Sequence, residues 1–190
     1  MKLENSFEVP APPEVAWQLL MDVPRVVPCM PGAELTETVD EAHWKAKMQV
    51  KLGPISLTFD TDVSREEADE AARRTMLRAR AREARGRGNA QATVTSSLSP
   101  AENGTRVDIV TDLTLSGQVA QYGRGMVQDV SSQLVTSFAE CLEAQISASP
   151  AEAQAAVERQ SKPVSGLRLA LAAFARSLSR IFRRKERSGS

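Results

Sequence analysis

The stretch GQVAQYGRGMVQDVSSQLVTSFAECLEAQ, Gly117 to Gln145, decides the fold. At 3.6 residues per turn Val119, Gly123, Met126, Val127, Val130, Leu134, Phe138 and Cys141 fall on one arc, with Gln121, Gln128, Ser132, Glu140 and Glu143 opposite. The spacing predicts one long helix with a single face to bury. At 1.5 Å per residue it would run about 43 Å, too long for the crossover of a compact parallel unit but right for the spine of a curled sheet. Gly123 and Gly125 fall in its first turns, where each costs about 1 kcal/mol relative to Ala. Two readings of them stand, close approach of another backbone and room for a ligand.

Upstream the period changes from 3.6 to 2. Leu3, Phe7 and Val9, with Asn5 among them, alternate with Lys2, Glu4, Ser6 and Glu8, and Pro10, Pro12 and Pro13 then end this strand. Pro13 opens a short helix in which Val15, Ala16, Leu19 and Leu20 can face a core. A loop from Asp22 to Gly32, interrupted by Pro24, Pro28 and Pro31, carries Val26, Val27, Cys29 and Met30; it either plugs its own core or forms the mouth of a pocket. Trp44 to Leu52 and Ile55 to Val63 alternate on either side of Gly53 and Pro54. Glu66 to Arg73 reads as a turn. Thr75 to Glu83 has the composition of a helix, yet Leu77, Ala79 and Ala81 alternate with Arg78, Arg80 and Arg82, and a helix would scatter those arginines around its axis. Asn89 to Leu98 and Thr105 to Leu115 complete the set, joined at Asn103 and Gly104. The class is therefore α+β, a curved antiparallel sheet of about seven strands wrapped around a long C-terminal helix.

If Thr75 to Glu83 pairs with Asn89 to Leu98, then Ala79, Ala81, Ala90 and Ala92 make a shallow patch on the inner face. Interiors do not keep large voids, so closer packing, a neighbour's bulky side chain or a ligand must fill it.

The formal net charge of zero conceals an asymmetry: Lys162 to Arg187 holds eight basic residues and one acid, for +7, leaving −7 on the remainder. Residues 1–146 are expected to form the domain, 147–163 a linker poor in large apolar residues, and 164–190 a basic amphipathic tail. In that tail Val164, Leu167, Leu171, Phe174, Leu178, Ile181 and Phe182 share one arc, outside which lie Arg168, Arg176, Arg180, Arg183 and Arg184, and Lys185 adds to the basic set expected at the membrane. A narrow apolar stripe with a basic flank is the signature of a helix lying in an anionic membrane surface, with a helix seated in a protein groove as the second reading; nucleic-acid arms seldom need so clean a stripe. No run approaches the roughly 20 apolar residues of a spanning helix, and no signal-peptide pattern opens the chain. Cys29 and Cys141 stand far apart and suggest no disulfide framework, which favours a reducing cytoplasm.

Material for catalysis is thin. His43 is the only histidine and belongs to an exposed strand end, Asp60 and Asp62 share a wet strand face, and Gly86-Arg87-Gly88 is too little for a phosphate loop. The inward polar candidates, Asn5, Thr61, Ser96, Thr111 and Tyr122, include no strong general base. No metal ligands are expected.

Phe7, Val9 and Pro10 with Pro13, Val15 and Trp17, then Met30-Pro31-Gly32, then Gly53-Pro54, then Gly117, Ala120, Tyr122 and Gly123 leading into the series that ends at Phe138, together resemble the carbon monoxide dehydrogenase CoxG family of the START-like (SRPBCC) superfamily, over about Met1 to Gln145. That resemblance implies the helix-grip fold and a hydrophobic cavity between helix and sheet. Trp17, Leu20, Val26, Val27, Met30, Leu57, Phe59, Leu77, Ala79, Ala92, Tyr122, Gly123, Met126, Val130, Leu134 and Phe138 would line it. It further implies a non-catalytic accessory protein at the inner face of the cell membrane, holding a quinone or similar lipophile as ligand, with no covalent cofactor, and bringing a molybdenum hydroxylase-type oxidoreductase to the quinone pool. Competing classes are a START-like enzyme acting on a hydrophobic substrate, a lipid carrier, and a protein-interaction adaptor.

Overall fold

The structure is a computed structural model that describes residues 1–53 and 55–147. Strand β1 (Lys2–Val9) leads into helix α1 (Pro13–Met21), the single turn α2 (Val23–Val26) and a 3-10 turn, Val27–Cys29. Six strands follow: β2 (Ala33–Thr38), β3 (His43–Leu52), β4 (Ile55–Asp69), β5 (Arg74–Glu83), β6 (Gly88–Ala101) and β7 (Gly104–Gly117). A 3-10 turn, Gln118–Gln121, precedes α3 (Arg124–Ser147). All neighbours in the sheet are antiparallel, in the order β1-β7-β6-β5-β4-β3-β2. Two bulges, at Leu35/Glu37 and Arg65/Glu67, add local bend to the ladder.

Alternation decides β5 against its helix-forming composition. Asp62 lies opposite Arg80 and Asp60 opposite Arg82, so opposite charges meet on the outer face while Ala79 and Ala81 turn inward. The expected turn at Glu66 to Arg73 is shorter, because β4 continues through the bulge to Asp69 and pairs there with Arg74. The β6–β7 loop is Glu102–Asn103, one residue earlier than expected. Gly104 already pairs with Ala101, and a Cβ on it would fall 2.1 Å from the Val9 carbonyl oxygen. In α1, Ala16, Trp17 and Leu19 are buried; Trp17 draws the buried arc away from Val15, which is exposed.

The long helix begins seven residues later than its period implies. Gly117 (φ 75°) breaks the chain out of β7 where a side chain would strike Gly88, its Cβ falling 2.8 Å from the Gly88 Cα. The 3-10 turn then buries Val119, and the opening helical bond runs from the Val127 N–H to the Gly123 carbonyl (3.3 Å). Gly123 therefore precedes the helix. A Cβ on Gly123 or Gly125 would meet nothing within 4 Å, so close backbone approach does not explain these glycines.

The second correction concerns the cysteines. Cys29 and Cys141 form a disulfide across 112 residues, with Cα atoms 5.4 Å apart. The 3-10 turn lays Cys29 against α3 at the point where Cys141 occupies its buried face, and both residues are essentially inaccessible. The argument from their separation to a reducing compartment falls with this bond. No described helix is long and apolar enough to cross a membrane. The linker from residue 148 and the tail helix, Val164 to Lys185, lie outside the described residues.

Candidate functional site

Packing between helix and sheet is concentrated at two places. One core joins β1, α1, the 3-10 turn at Val27–Cys29 and the C-terminal half of α3; it buries Trp17, Val26, Leu98, Val107, Phe138 and Leu142, with Leu20 and Met30 packed against it. Phe7 and Phe138 meet edge to face there, centroids 6.0 Å apart. The other core lies at the far end of β3 and β4, where Leu52, Leu57, Phe59 and Val119 are buried and Tyr122, Val130, Ala81 and Ala90 complete the contact. Between them the inward residues of the central strands, Val63, Leu77, Ala79, Ala92 and Val94, remain only partly buried. So does Leu134 on the helix. The four alanines form two cross-strand pairs, Ala79 with Ala92 and Ala81 with Ala90, which makes this middle zone shallow.

The expected lining residues thus divide. Trp17, Leu20, Val26, Met30 and Phe138 belong to the first core, Leu57, Phe59, Tyr122 and Val130 to the second, and Leu77, Ala79, Ala92 and Leu134 to the zone between. Val27 is partly buried beside the first core. Two do not fit a lining role: Gly123 is exposed ahead of the helix, and Met126 keeps 43% of its surface accessible, because α3 packs along β1 through its later turns while its first turn stands free.

Polar groups on the inner face are few and mostly committed. Asn5 donates to Ser131 Oγ (3.1 Å) and accepts from Ser132 Oγ (3.4 Å), tying β1 to α3. Arg65 reaches the last carbonyl of α1, at Met21 (2.6 Å), and stacks over Trp44 at 5.0 Å. Thr61 differs: its hydroxyl is buried without a hydrogen-bond partner, between Ala46 on β3 and Ala81 on β5. An unpaired buried hydroxyl costs about 1–3 kcal/mol.

The strongest electrostatic feature is not legible in the periodicity of the sequence. Glu83 is 1% exposed; its carboxylate accepts from the Arg87 guanidinium (2.6 Å) and from the Arg85 and Arg87 backbone N–H groups (2.8 and 3.1 Å). The Arg87 bond, followed by the backbone donors, holds its carboxyl down at about 2 despite burial. Arg87 also donates to the Ser56 carbonyl (2.9 Å), so the pair locks the β5–β6 turn onto β4. An arginine between two glycines, four residues after a glutamate, is the only signal the sequence offers for it. Glu83 and Arg87 also line an open pocket of about 530 Å³ with Ser56, Thr58 and Arg85, and the pair acts there as a structural lock, its carboxylate committed to three donors.

His43 is exposed and bonds Asp40 (2.9 Å), in keeping with a strand-end role. Among the described residues no group of three or more His, Cys, Asp or Glu side chains is placed to hold a metal. A groove of about 660 Å³ is lined by Lys45, Asp60, Asp62, Arg80 and Arg82 together with Ala46, Thr61, Ala81 and Ala90, with opposite charges interleaved and no nucleophile–base pair among its lining residues.

Comparison with known proteins adds the family. The family described as the G subunit of carbon monoxide dehydrogenase (CoxG) matches residues 6–147. No curated protein sequence matches significantly. Among solved structures, a conserved protein from Geobacillus kaustophilus superposes with a TM-score of 0.66 at 20% identity, over 84% of this chain and 96% of the other. A protein from Rhizobium loti gives 0.54 at 13% identity, over 74% and 95%. An aromatase/cyclase from Streptomyces sp. R1128 gives 0.53 at 13% identity, over 85% and 96%. At these identities the likeness is one of fold, the START-like arrangement of a curved sheet and a C-terminal helix.

Proposed function

From the premise that the chain belongs to the carbon monoxide dehydrogenase CoxG family, we propose that it is a non-catalytic accessory protein whose helix–sheet interior takes a lipophilic ligand, a quinone by preference. The observation that carries this reading is the partly buried inner zone, Leu77, Ala79, Ala92, Val94 and Leu134, between two separately closed cores. Such a zone is apolar and shallow, and at its border with the second core stands the Thr61 hydroxyl, unpaired among the described residues, which suits a long apolar body carrying a hydrogen-bond acceptor. The family's name supports a carbon monoxide dehydrogenase-type molybdenum hydroxylase as partner. A protein that holds a quinone and joins such an enzyme would carry its electron acceptor to it, peripherally attached at the inner face of the membrane through the tail's apolar stripe. The Cys29–Cys141 bond weighs against a reducing compartment, and trapping the thiol state on isolation from the host addresses that part of the reading.

The test is a titration of the purified chain with a long-chain quinone analogue. Ala92→Phe fills the inner zone and is expected to lower affinity at least tenfold while the circular dichroism spectrum is unchanged. Gly123, being exposed, is not a useful site for such a filling variant. Unchanged affinity in a folded Ala92→Phe protein would show that the interior is not the binding site.

A further inference from the structure

The two ends of the sheet carry opposite charge, and the basic end coincides with the part of α3 where local rules are broken. The register places the β3–β4 turn, the β5–β6 turn, the end of β7 and the start of α3 together at one end. Lys51, Arg85 and Arg124 are exposed there and take part in none of the ion pairs of the described residues, while Glu83 is neutralised by Arg87. At the opposite end the β2–β3, β4–β5 and β6–β7 turns expose Asp40, Glu41, Asp69, Glu70 and Glu102. The folded domain is acidic as a whole, yet this tip carries a local excess of positive charge.

Three features of that tip have no stabilising account. The first turn of α3 contains no acid but contains Arg124, a cation at the positive end of the helix dipole. Gly123 and Gly125 open onto empty space. Met126 is left 43% exposed beside them. Departures from local preference that cluster without a packing benefit mark functional surface. The rim loop Val26 to Gly32 is by contrast bound into the first core and fastened to α3 by the disulfide, whereas the N-terminal half of the helix is held through the second core, by Tyr122 and Val130.

We propose that this basic tip, where Lys51, Arg85, Arg124 and Met126 are exposed at one end of the sheet, is a second membrane-docking surface that sets the start of α3 against anionic lipid. The inference rests on the proposed membrane attachment of the protein and gives the folded domain a contact of its own beside the tail's. Cations flanking an exposed apolar side chain suit a headgroup layer better than an acidic protein face, which would not use the Met126 side chain. Reach permits both contacts at once. Helix α3 carries its C-terminus about 36 Å away from the tip, while residues 148–163 extend to at most about 50 Å, enough to bring the tail back to the same plane.

Hydrogen exchange on the full chain tests this with vesicles containing one-third anionic phospholipid, and with neutral vesicles. Exchange is expected to slow at residues 84–88 and 122–127 on anionic vesicles only. Arg85→Glu with Arg124→Glu should abolish that slowing and weaken vesicle affinity tenfold or more. Since Arg124→Glu also removes a cation from a helix N-terminus, the variant should melt no lower than the parent, separating lost docking from lost fold. Slowing confined to the tail, with the variant binding as the parent does, overturns the inference and leaves the tail reading intact. Slowing at the tip but not at the tail supports the inference and overturns the tail reading. A variant that binds vesicles normally but no longer binds the oxidoreductase would assign the tip to a protein partner and overturn the membrane assignment.

Discussion

Thr61 and Glu83 show how one side chain can be explained by what it lacks or by what it holds. The Thr61 hydroxyl is buried with no partner among the described residues, a cost of about 1–3 kcal/mol. Thr61→Val keeps the shape and removes the unpaired group, so the melting temperature of the ligand-free protein is expected to rise. If a ligand acceptor meets that hydroxyl, quinone-analogue affinity falls about tenfold in the same variant. A rise in stability with unchanged affinity would confine Thr61 to a packing role. Glu83 is the converse, a buried carboxylate that accepts from the Arg87 guanidinium and from the Arg85 and Arg87 backbone N–H groups. Its carboxyl is held at about 2, below its ordinary 4.5, so the folded state binds fewer protons than the unfolded state between those values. Its stabilising contribution is complete above pH 4.5 and is lost as pH falls toward 2. Glu83→Gln should therefore melt lower at neutral pH and show a flatter decline of melting temperature across that window. An unchanged slope would mean that other carboxylates govern acid unfolding.

At the scale of elements, legibility follows periodicity. The period of two in Leu77-Arg78-Ala79-Arg80-Ala81-Arg82 identifies β5 against its helical composition, because the charge alternation matches Asp60 and Asp62 on β4. The start of α3 is misplaced by the same kind of reading, because Val119 obeys a helical spacing while lying in a 3-10 turn; what separates the two is the crowding of Gly117 on Gly88, which no local pattern records. The pairing of Cys29 with Cys141 is equally hidden. A cysteine on an apolar face reads as an ordinary core residue, and only the path of the proline-rich loop brings the second sulfur to it. Most candidate lining residues are found because inward alternation marks them, whereas the unpacked first turn of α3 is not, since exposure of Met126 depends on where the helix leaves the sheet. The disulfide closes a long loop and, with its ends in the first core, should contribute about 2–5 kcal/mol. Cys29→Ala with Cys141→Ala should lower the melting temperature accordingly, and a reducing agent should lower that of the parent but not of the variant. Identical melting of parent and variant under oxidising conditions would show that the bond carries no weight in the fold.

At the scale of the molecule, a neutral chain is the sum of an acidic remainder and a segment of +7 at Lys162 to Arg187. An anionic surface repels the first and attracts the second, so any membrane attachment depends on the tail's contribution exceeding the repulsion of the rest. Each well-buried Leu or Phe offers about 1.5–3 kcal/mol and each basic residue near anionic lipid about 1 kcal/mol, against the cost of ordering the segment. With seven large apolar residues, Val164, Leu167, Leu171, Phe174, Leu178, Ile181 and Phe182, on one arc, the balance favours binding even after heavy discount. A chain ending at Ser161 is expected to keep its fold and its ligand affinity and to lose at least nine-tenths of its sedimentation with anionic vesicles at physiological salt. Phe174→Glu with Leu178→Glu retains the basic residues and should cause a similar loss, showing that apolar insertion and not attraction alone is required. Low salt should restore part of the binding of that variant but none of the truncated chain's beyond what the Lys51, Arg85 and Arg124 tip supplies, because screening acts on the charge term and leaves the apolar term alone. Full sedimentation of both variants would transfer the stripe from lipid to a groove on the oxidoreductase.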